Sequence, residues 1–424
     1  MSSSKDMPAE ADASKSLSKQ LRPAITTNSL GNAGLHPLKR KLEQLAEKGF
    51  KGVELCYPEL EHYAKNHPSI VFKNDIFKAA KSLHELCKKL KLTVISIQPF
   101  AYFEGLADEY NIFTVEYLTD KLAEWVKLAY ILRADMILIP ANYFGPDKQG
   151  NPRTSTENIV PDLRVLTDRG TSMWRELINE ESEDVAKARS KLAKGKSKTK
   201  YTARSEREPA TYTLKFTYEA LAWADHIDTW QKSWEVVKQV DRSNFGMCLD
   251  TFNIGAKEYA EPALFPRGVQ IGGEEKLWYS LTELSKIFKQ SSPEHHHKLF
   301  LVQVADGERL LEPLVGDIES PITGERIESS LDYVPNQPVR MTWSRTSRLF
   351  PFETSPKKND GMLPIIDILR VIVHDLNYRG WVSMDVFHRD LDHSSRGTTA
   401  VQARKGWEAW EAMIQRLAAM KMLG

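Results

Sequence analysis

Two carboxylates stand at the downstream ends of two short apolar runs. Glu219 closes the run from Leu214 to Ala220, and Asp250 closes Gly246-Met247-Cys248-Leu249. An acid at the end of a buried strand is costly to leave unpaired, so it calls for a cation. Acids on successive βα units can share one. Two later runs end in the same way. Gln303 lies in Leu299-Phe300-Leu301-Val302-Gln303-Val304, and Asp385 in Trp381-Val382-Ser383-Met384-Asp385-Val386-Phe387. Three carboxylates and one amide oxygen form an all-oxygen donor set without thiolate or histidine. Such a set suits Mg²⁺ or Mn²⁺ better than Zn²⁺. The competing reading at any one position is a structural ion pair with a nearby Arg or Lys. Four such residues at corresponding places favour a common site.

Other residues carry weaker signals. Asn253 follows Asp250 by three positions and either faces a ligand or caps the next segment. Gln98 and Tyr102 end the third apolar run, and Glu54 ends the second as a supporting acid. Arg345, within Met341-Thr342-Trp343-Ser344-Arg345, either binds an acidic substrate or anchors its loop. Glu294-His295-His296-His297 has metal-binding residue types. It precedes the seventh run, however, which puts it at the opposite end from the acids and makes it a surface cluster.

The elements that must position these residues alternate regularly. Strands are expected at 24–30, 52–56, 93–98, 136–140, 214–220, 246–251, 299–304 and 381–387, with amphipathic helices between them. The strands read as continuous apolar runs, as parallel strands buried on both faces do. Eight βα units predict a (β/α)8 barrel, whose reacting groups lie at the C-terminal strand ends. An open doubly wound sheet is the rival, but no Gly-rich phosphate loop follows strand one. Residues 1–21 are expected to form a disordered tail, and 22–424 one barrel domain. The rhythm breaks at 146–212, where Lys187 to Arg207 is Lys/Arg/Ser-rich. That stretch is expected to be a charged, partly disordered insertion after strand four. A long Pro-rich loop spans 311–360.

Composition narrows the class. The chain has 424 residues, 41% hydrophobic and 27% charged, as in an ordinary soluble globular protein. A net charge of +1 gives neither nucleic acid nor membrane a global attraction. Three cysteines make neither a disulfide framework nor a zinc motif, which points to a reducing, cytoplasmic setting. No apolar run approaches the roughly 18–20 residues needed to span a bilayer.

Several segments together resemble the fungal 3-dehydroshikimate dehydratases, members of the xylose-isomerase-like barrels. They are Tyr218-Glu219-Ala220-Leu221-Ala222-Trp223, His226-Ile227-Asp228-Thr229-Trp230 and Cys248-Leu249-Asp250-Thr251-Phe252-Asn253. Val302 to Leu310, Met341 to Arg345 with Arg348-Leu349-Phe350, Gly380 to Met384 and Gly52-Val53-Glu54-Leu55 belong to the same set. The resemblance implies a lyase that dehydrates 3-dehydroshikimate to protocatechuate in quinate catabolism. It implies one divalent metal held by Glu219, Asp250, Gln303 and Asp385. The family's last acid is Glu, and Asp385 is one methylene shorter. The implied chemistry is an enediolate stabilised by the metal, followed by loss of the β-hydroxyl. His226, Asn253 and His388 are the candidates for proton transfer. Three alternatives stay open. They are a sugar isomerase or epimerase of the same superfamily, a nuclease that uses the basic stretch, and a paralogue weakened by Asp385.

Overall fold

In a computed structural model of the chain, eight strands close into a barrel. They are β1 (Arg22–Thr26), β2 (Gly52–Cys56), β3 (Thr93–Gln98), β4 (Met136–Pro140), β5 (Lys215–Glu219), β6 (Phe245–Asp250), β7 (Leu299–Val304) and β8 (Trp381–Met384). Each pairs in parallel with its sequence neighbours, and β1 closes the ring against β8. The structure describes residues 7–66, 75–106, 115–151, 153–193, 213–263, 268–290, 297–311, 314, 318–319, 326–327, 337–353 and 360–423. Glu294, His295 and His296 lie outside them.

Strands β2, β4, β6, β7 and β8 are buried along their whole length, as the apolar runs require. Two layers of apolar packing result. Ala24, Ile95, Met136, Leu138, Cys248, Phe300, Leu301 and Trp381 fill the lumen as a small separate core. The larger core lies between the strands and the helices around them. The lumen core fills the barrel below the polar strand ends, so the site is a mouth above a plug, not a channel.

The helices follow their sequence signals. Leu38–Lys48 ends at Gly49, which takes a left-handed conformation (φ 112°) and donates to Leu45 O. A Cβ there would lie 2.9 Å from the Trp407 ring, so glycine is needed for conformation and for space. Trp230–Val240 starts on the Thr229 cap, whose side chain accepts from Lys232 N.

Four expectations need correction. The segment expected as a disordered tail contains a helix, Met7–Gln20, packed against the last helix, Thr398–Leu423. Leu17 and Leu21, one helical turn apart, are buried there. The segment expected as an insertion, 146–212, contains a 38-residue helix, Thr156–Ala193. It packs between Val115–Leu132 and Trp230–Val240, so it is the regular crossover from β4 to β5. Its buried Ile159, Leu163, Leu166 and Trp174 keep helical spacing beneath a charged outer face. The basic residues 194–207 lie outside the described residues. Strand one is shorter than expected, because Thr27–Leu30 is a 3₁₀ turn. The loop after β7 is partly regular. Asp306–Gly307 pairs antiparallel with Arg348–Leu349, and Val339–Thr346 is a helix. Among the described residues, no helix is long and apolar enough to cross a membrane.

Candidate active site

The side chains of Glu54 and Gln303 meet inside the barrel. Their strands, β2 and β7, are not neighbours in the ring, so the contact crosses the lumen. Gln303 Nε2 donates to Glu54 Oε1 at 3.1 Å and to Oε2 at 3.2 Å. Ser96 Oγ and Gln98 Nε2, from β3, donate to the same Oε2 at 2.8 and 3.2 Å. With its amide nitrogen committed to Glu54, Gln303 turns Oε1 toward β6, where the Cys248 thiol lies at 3.5 Å. Glu54 therefore orients the amide so that its oxygen is available.

Asp250 is paired in register with Gln303 and has three separate partners. Its Oδ1 accepts from Phe252 N at 2.8 Å and caps the helix Thr251–Glu258. Its Oδ2 accepts from Asn253 Nδ2 at 2.7 Å and from Arg348 Nη1 at 2.9 Å. Asn253 Nδ2 also donates to Glu219 Oε1 at 2.9 Å, and Asn253 Oδ1 accepts from Ala222 N at 3.1 Å. A single amide thus joins the acids of β5 and β6. Asp385 extends β8 by one residue, its N–H donating to Val304 O. Its Oδ2 accepts from the same Arg348 Nη1 at 2.9 Å.

These groups are almost fully buried, and their charges do not balance. Glu54, Glu219, Asp250 and Asp385 are four acids against one guanidinium, that of Arg348. Burial is the main cause that raises the proton affinity of all four. For Glu219 the charges of Asp250 and Asp385 add to it, and for Asp250 the guanidinium opposes it. Asp385 is pushed up to about 8. Its Oδ1 is buried with no hydrogen-bond partner. The Thr26 hydroxyl close by pairs instead with Ser29 Oγ at 2.8 Å.

A hard divalent cation fits this donor set. All the donors are oxygen, one buried oxygen lacks a partner, and negative charge is in excess. The acids are not gathered as a ready-made cage. Among the described residues, no three His, Cys, Asp or Glu side chains form a metal-binding group. The amide of Gln303 belongs to the set, and Arg348 lies between Asp250 and Asp385. A cavity of about 870 Å³ lies elsewhere, between the helices Leu38–Lys48, Tyr57–Asn66 and Ile76–Leu90. It holds no comparable convergence of acids, so the strand-end cluster remains the candidate site.

The residues singled out in the sequence divide into two groups. Glu219, Asp250, Gln303, Asp385, Asn253, Glu54 and Gln98 converge. Asn253 is there as a bridge between carboxylates. His226 is not brought to them. Its Nε2 lies 2.9 Å from Thr154 Oγ1 and 3.1 Å from Thr154 O, beside the buried Glu104 and Asn142. His388 is close in sequence but turned away, with Nε2 3.6 Å from Glu308 Oε2 and Nδ1 accepting from Asp390 N. Tyr102 is exposed at the rim, its ring 5.5 Å from that of Phe144. Arg345 is exposed on the helix Val339–Thr346, and the cation at the acids is Arg348. Sequence reasoning missed that exchange. The available signal was a basic residue directly before the apolar pair Leu349-Phe350, in a segment that returns to a strand.

A family model described as xylose isomerase-like TIM barrel matches residues 42–413. A 3-dehydroshikimate dehydratase of Neurospora crassa is 31% identical over 402 residues, covering 93% of this chain and 94% of that protein. A 3-dehydroshikimate dehydratase of Pseudomonas aeruginosa is 24% identical over 372 residues, 87% of this chain and 38% of that protein. Among solved structures, a xylose isomerase-like TIM barrel/4-hydroxyphenylpyruvate dioxygenase fusion protein superposes with a TM-score of 0.56 at 20% identity. That match covers 92% of this chain and 42% of the other. The IolI protein with a bound zinc atom superposes with a TM-score of 0.53 at 12% identity, over 93% and 98% of the two chains. These two structures share the fold.

Proposed function

We propose, from the premise that this chain belongs to the xylose isomerase-like TIM barrel family, that it is a 3-dehydroshikimate dehydratase. It removes water from 3-dehydroshikimate and releases the aromatic acid protocatechuate. The observation that carries the reading is the set of oxygen donors at the ends of β5 to β8, short of positive charge. Glu219, Asp250, Gln303 and Asp385 would hold one divalent cation, and the all-oxygen set favours Mg²⁺ or Mn²⁺. Bound there, the cation supplies Lewis-acid polarisation of the substrate's ketone.

The chain's own residues prepare that site. Asn253 fixes Glu219 relative to Asp250, and Glu54 fixes the Gln303 amide. Burial at the mouth keeps water from competing for the oxygens. The reaction also requires removal of an α-proton and protonation of the departing β-hydroxyl. Neither His226, after β5, nor His388, after β8, reaches the acids, so neither is assigned these steps. His226→Gln and His388→Gln are each expected to leave kcat within about tenfold of wild type. A variant that loses about 10²–10⁴-fold in kcat restores that histidine to proton transfer. Three buried free cysteines support a reducing, cytoplasmic setting.

The direct test is incubation of the purified protein with 3-dehydroshikimate and Mg²⁺ or Mn²⁺. Absorbance of the aromatic acid is expected to grow, and prior chelation is expected to abolish the growth. No aromatic product with any divalent metal sinks the proposal.

A further inference from the structure

Arg348 is held from several sides at the point where a cation is wanted. Its Nη1 donates to Asp250 Oδ2 and Asp385 Oδ2, each at 2.9 Å, and to Asp385 O at 3.2 Å. Its Nε donates to Ser344 Oγ at 3.0 Å. The guanidinium lies 4.3 Å from the ring centre of Phe252 and 5.3 Å from that of Phe387. Its backbone is fixed by the antiparallel pairing of Arg348–Leu349 with Asp306–Gly307. At 2% exposure this is a fully buried cation, not a surface arginine.

The geometry makes it a competitor for the acids it stabilises. Both oxygens of Asp250 already have partners, because Oδ1 caps a helix and Oδ2 takes Asn253 and Arg348. Asp385 differs, since Oδ2 takes Arg348 while Oδ1 is unpartnered. A metal can therefore reach Asp385 with Arg348 in place, but at Asp250 Oδ2 it must share or displace the guanidinium.

We infer that Arg348 is the resident counter-ion of this site, holding the acids together when no metal is bound and weakening the metal's hold when one is. This rests on the metal-site reading above. Arg348 is a positioning residue here, acting through Asp250 and Asp385. A site with a built-in cation stays folded between metal ions and exchanges them more readily than its four acids alone would.

The test is calorimetric titration of the chelated full-length protein with Mn²⁺. Arg348→Gln keeps a donor but removes the charge. It is expected to bind Mn²⁺ at least about tenfold tighter, because it loses one positive charge beside a divalent ion. Arg348→Lys keeps the charge and is expected to stay within about threefold of wild type. The metal-free Arg348→Gln protein is expected to melt at a lower temperature. If it does not fold without metal, it is prepared with Mn²⁺ and release to a chelator is timed. Slower release than from wild type is then the expected result. Equal or weaker binding, or equal or faster release, overturns the inference, because a merely structural arginine would give that loss. A folded wild type that binds no Mn²⁺ overturns the metal-site reading itself, which is a different outcome.

Discussion

Glu54→Gln tests how the site is wired. Every contact that Glu54 makes is with a donor. Gln303 Nε2 reaches Oε1 at 3.1 Å, and Ser96 Oγ, Gln98 Nε2 and Gln303 Nε2 reach Oε2 at 2.8, 3.2 and 3.2 Å. That pattern fits an ionised carboxylate, although burial raises its proton affinity. An amide of the same shape must place an NH₂ against one of those donors. If the NH₂ replaces Oε2, Ser96 and Gln98 lose their acceptor. If it replaces Oε1, it meets the Gln303 NH₂, and the cheapest relief is a flip of the Gln303 amide. The flip turns a donor toward the place where a cation needs an acceptor.

Hydrogen bonds to a charged group are worth about 1.5–3 kcal/mol each, and the new amide keeps only part of them, so stability should fall by about 2–3 kcal/mol. Loss of a partner that orients a metal ligand costs about 10–100-fold in metal affinity. Thermal melts of the metal-free protein read the first effect, and Mn²⁺ titration calorimetry reads the second. Unchanged melting temperature with unchanged affinity would refute the reasoning. It would mean that Glu54 is already neutral and donates through an O–H where the variant places an N–H.

Other consequences follow from the same coordinates. Burial pushes Glu104 and Asp385 up to about 8 and Asp306 to about 7. Each is an acid whose folded value exceeds its unfolded one. The stability it contributes is therefore present in acid, declines as pH rises, and is gone above about pH 8. Melting temperatures of the metal-free protein should fall between pH 5 and pH 8.5, whereas saturating Mn²⁺ should reverse the trend by binding the deprotonated oxygens. Asp385→Glu adds the methylene that the family pattern carries, and calorimetry should show tighter Mn²⁺ binding. Arg345→Ala removes an exposed side chain, and kcat/KM should stay within about twofold of wild type, the range expected of surface changes.

Much of this architecture was legible because its signals are local. Strands β2, β3, β4 and β7 have the bounds that the apolar runs predict, since a buried parallel strand needs no partner sequence to be recognised. The helix Thr156–Ala193 was hidden for a physical reason. Its core contacts come from only a few residues, while its outer face carries the charge that dominates composition. Met7–Gln20 was hidden likewise, because among its described side chains only Leu17 is buried and nearly all the rest are polar. At the site, the strand-end residues could be read from position alone. Their partners could not. Arg345 and Arg348 differ by three residues, and only the strand pairing with Asp306–Gly307 turns the second inward. The same limit applied to Asn253. Spacing placed it near Asp250, and only coordinates show it joining Asp250 to Glu219.

The partners at the mouth share one property that bears on how the protein is stabilised. Ser96, Gln98, Gln303, Asn253 and Arg348 all donate to carboxylate oxygens. Donors of this kind prearrange a site for the charged form of its acids, against the desolvation that favours the neutral form. One guanidinium cannot balance four buried acids, so the metal-free barrel keeps part of that desolvation cost uncompensated. A cation that binds the folded mouth and not the unfolded chain then returns its binding energy as folding energy. Metal affinity and thermal stability in saturating Mn²⁺ should therefore move together across substitutions at Glu219, Asp250 and Asp385. They should part at Arg348, where the same side chain supports the empty site and opposes the filled one.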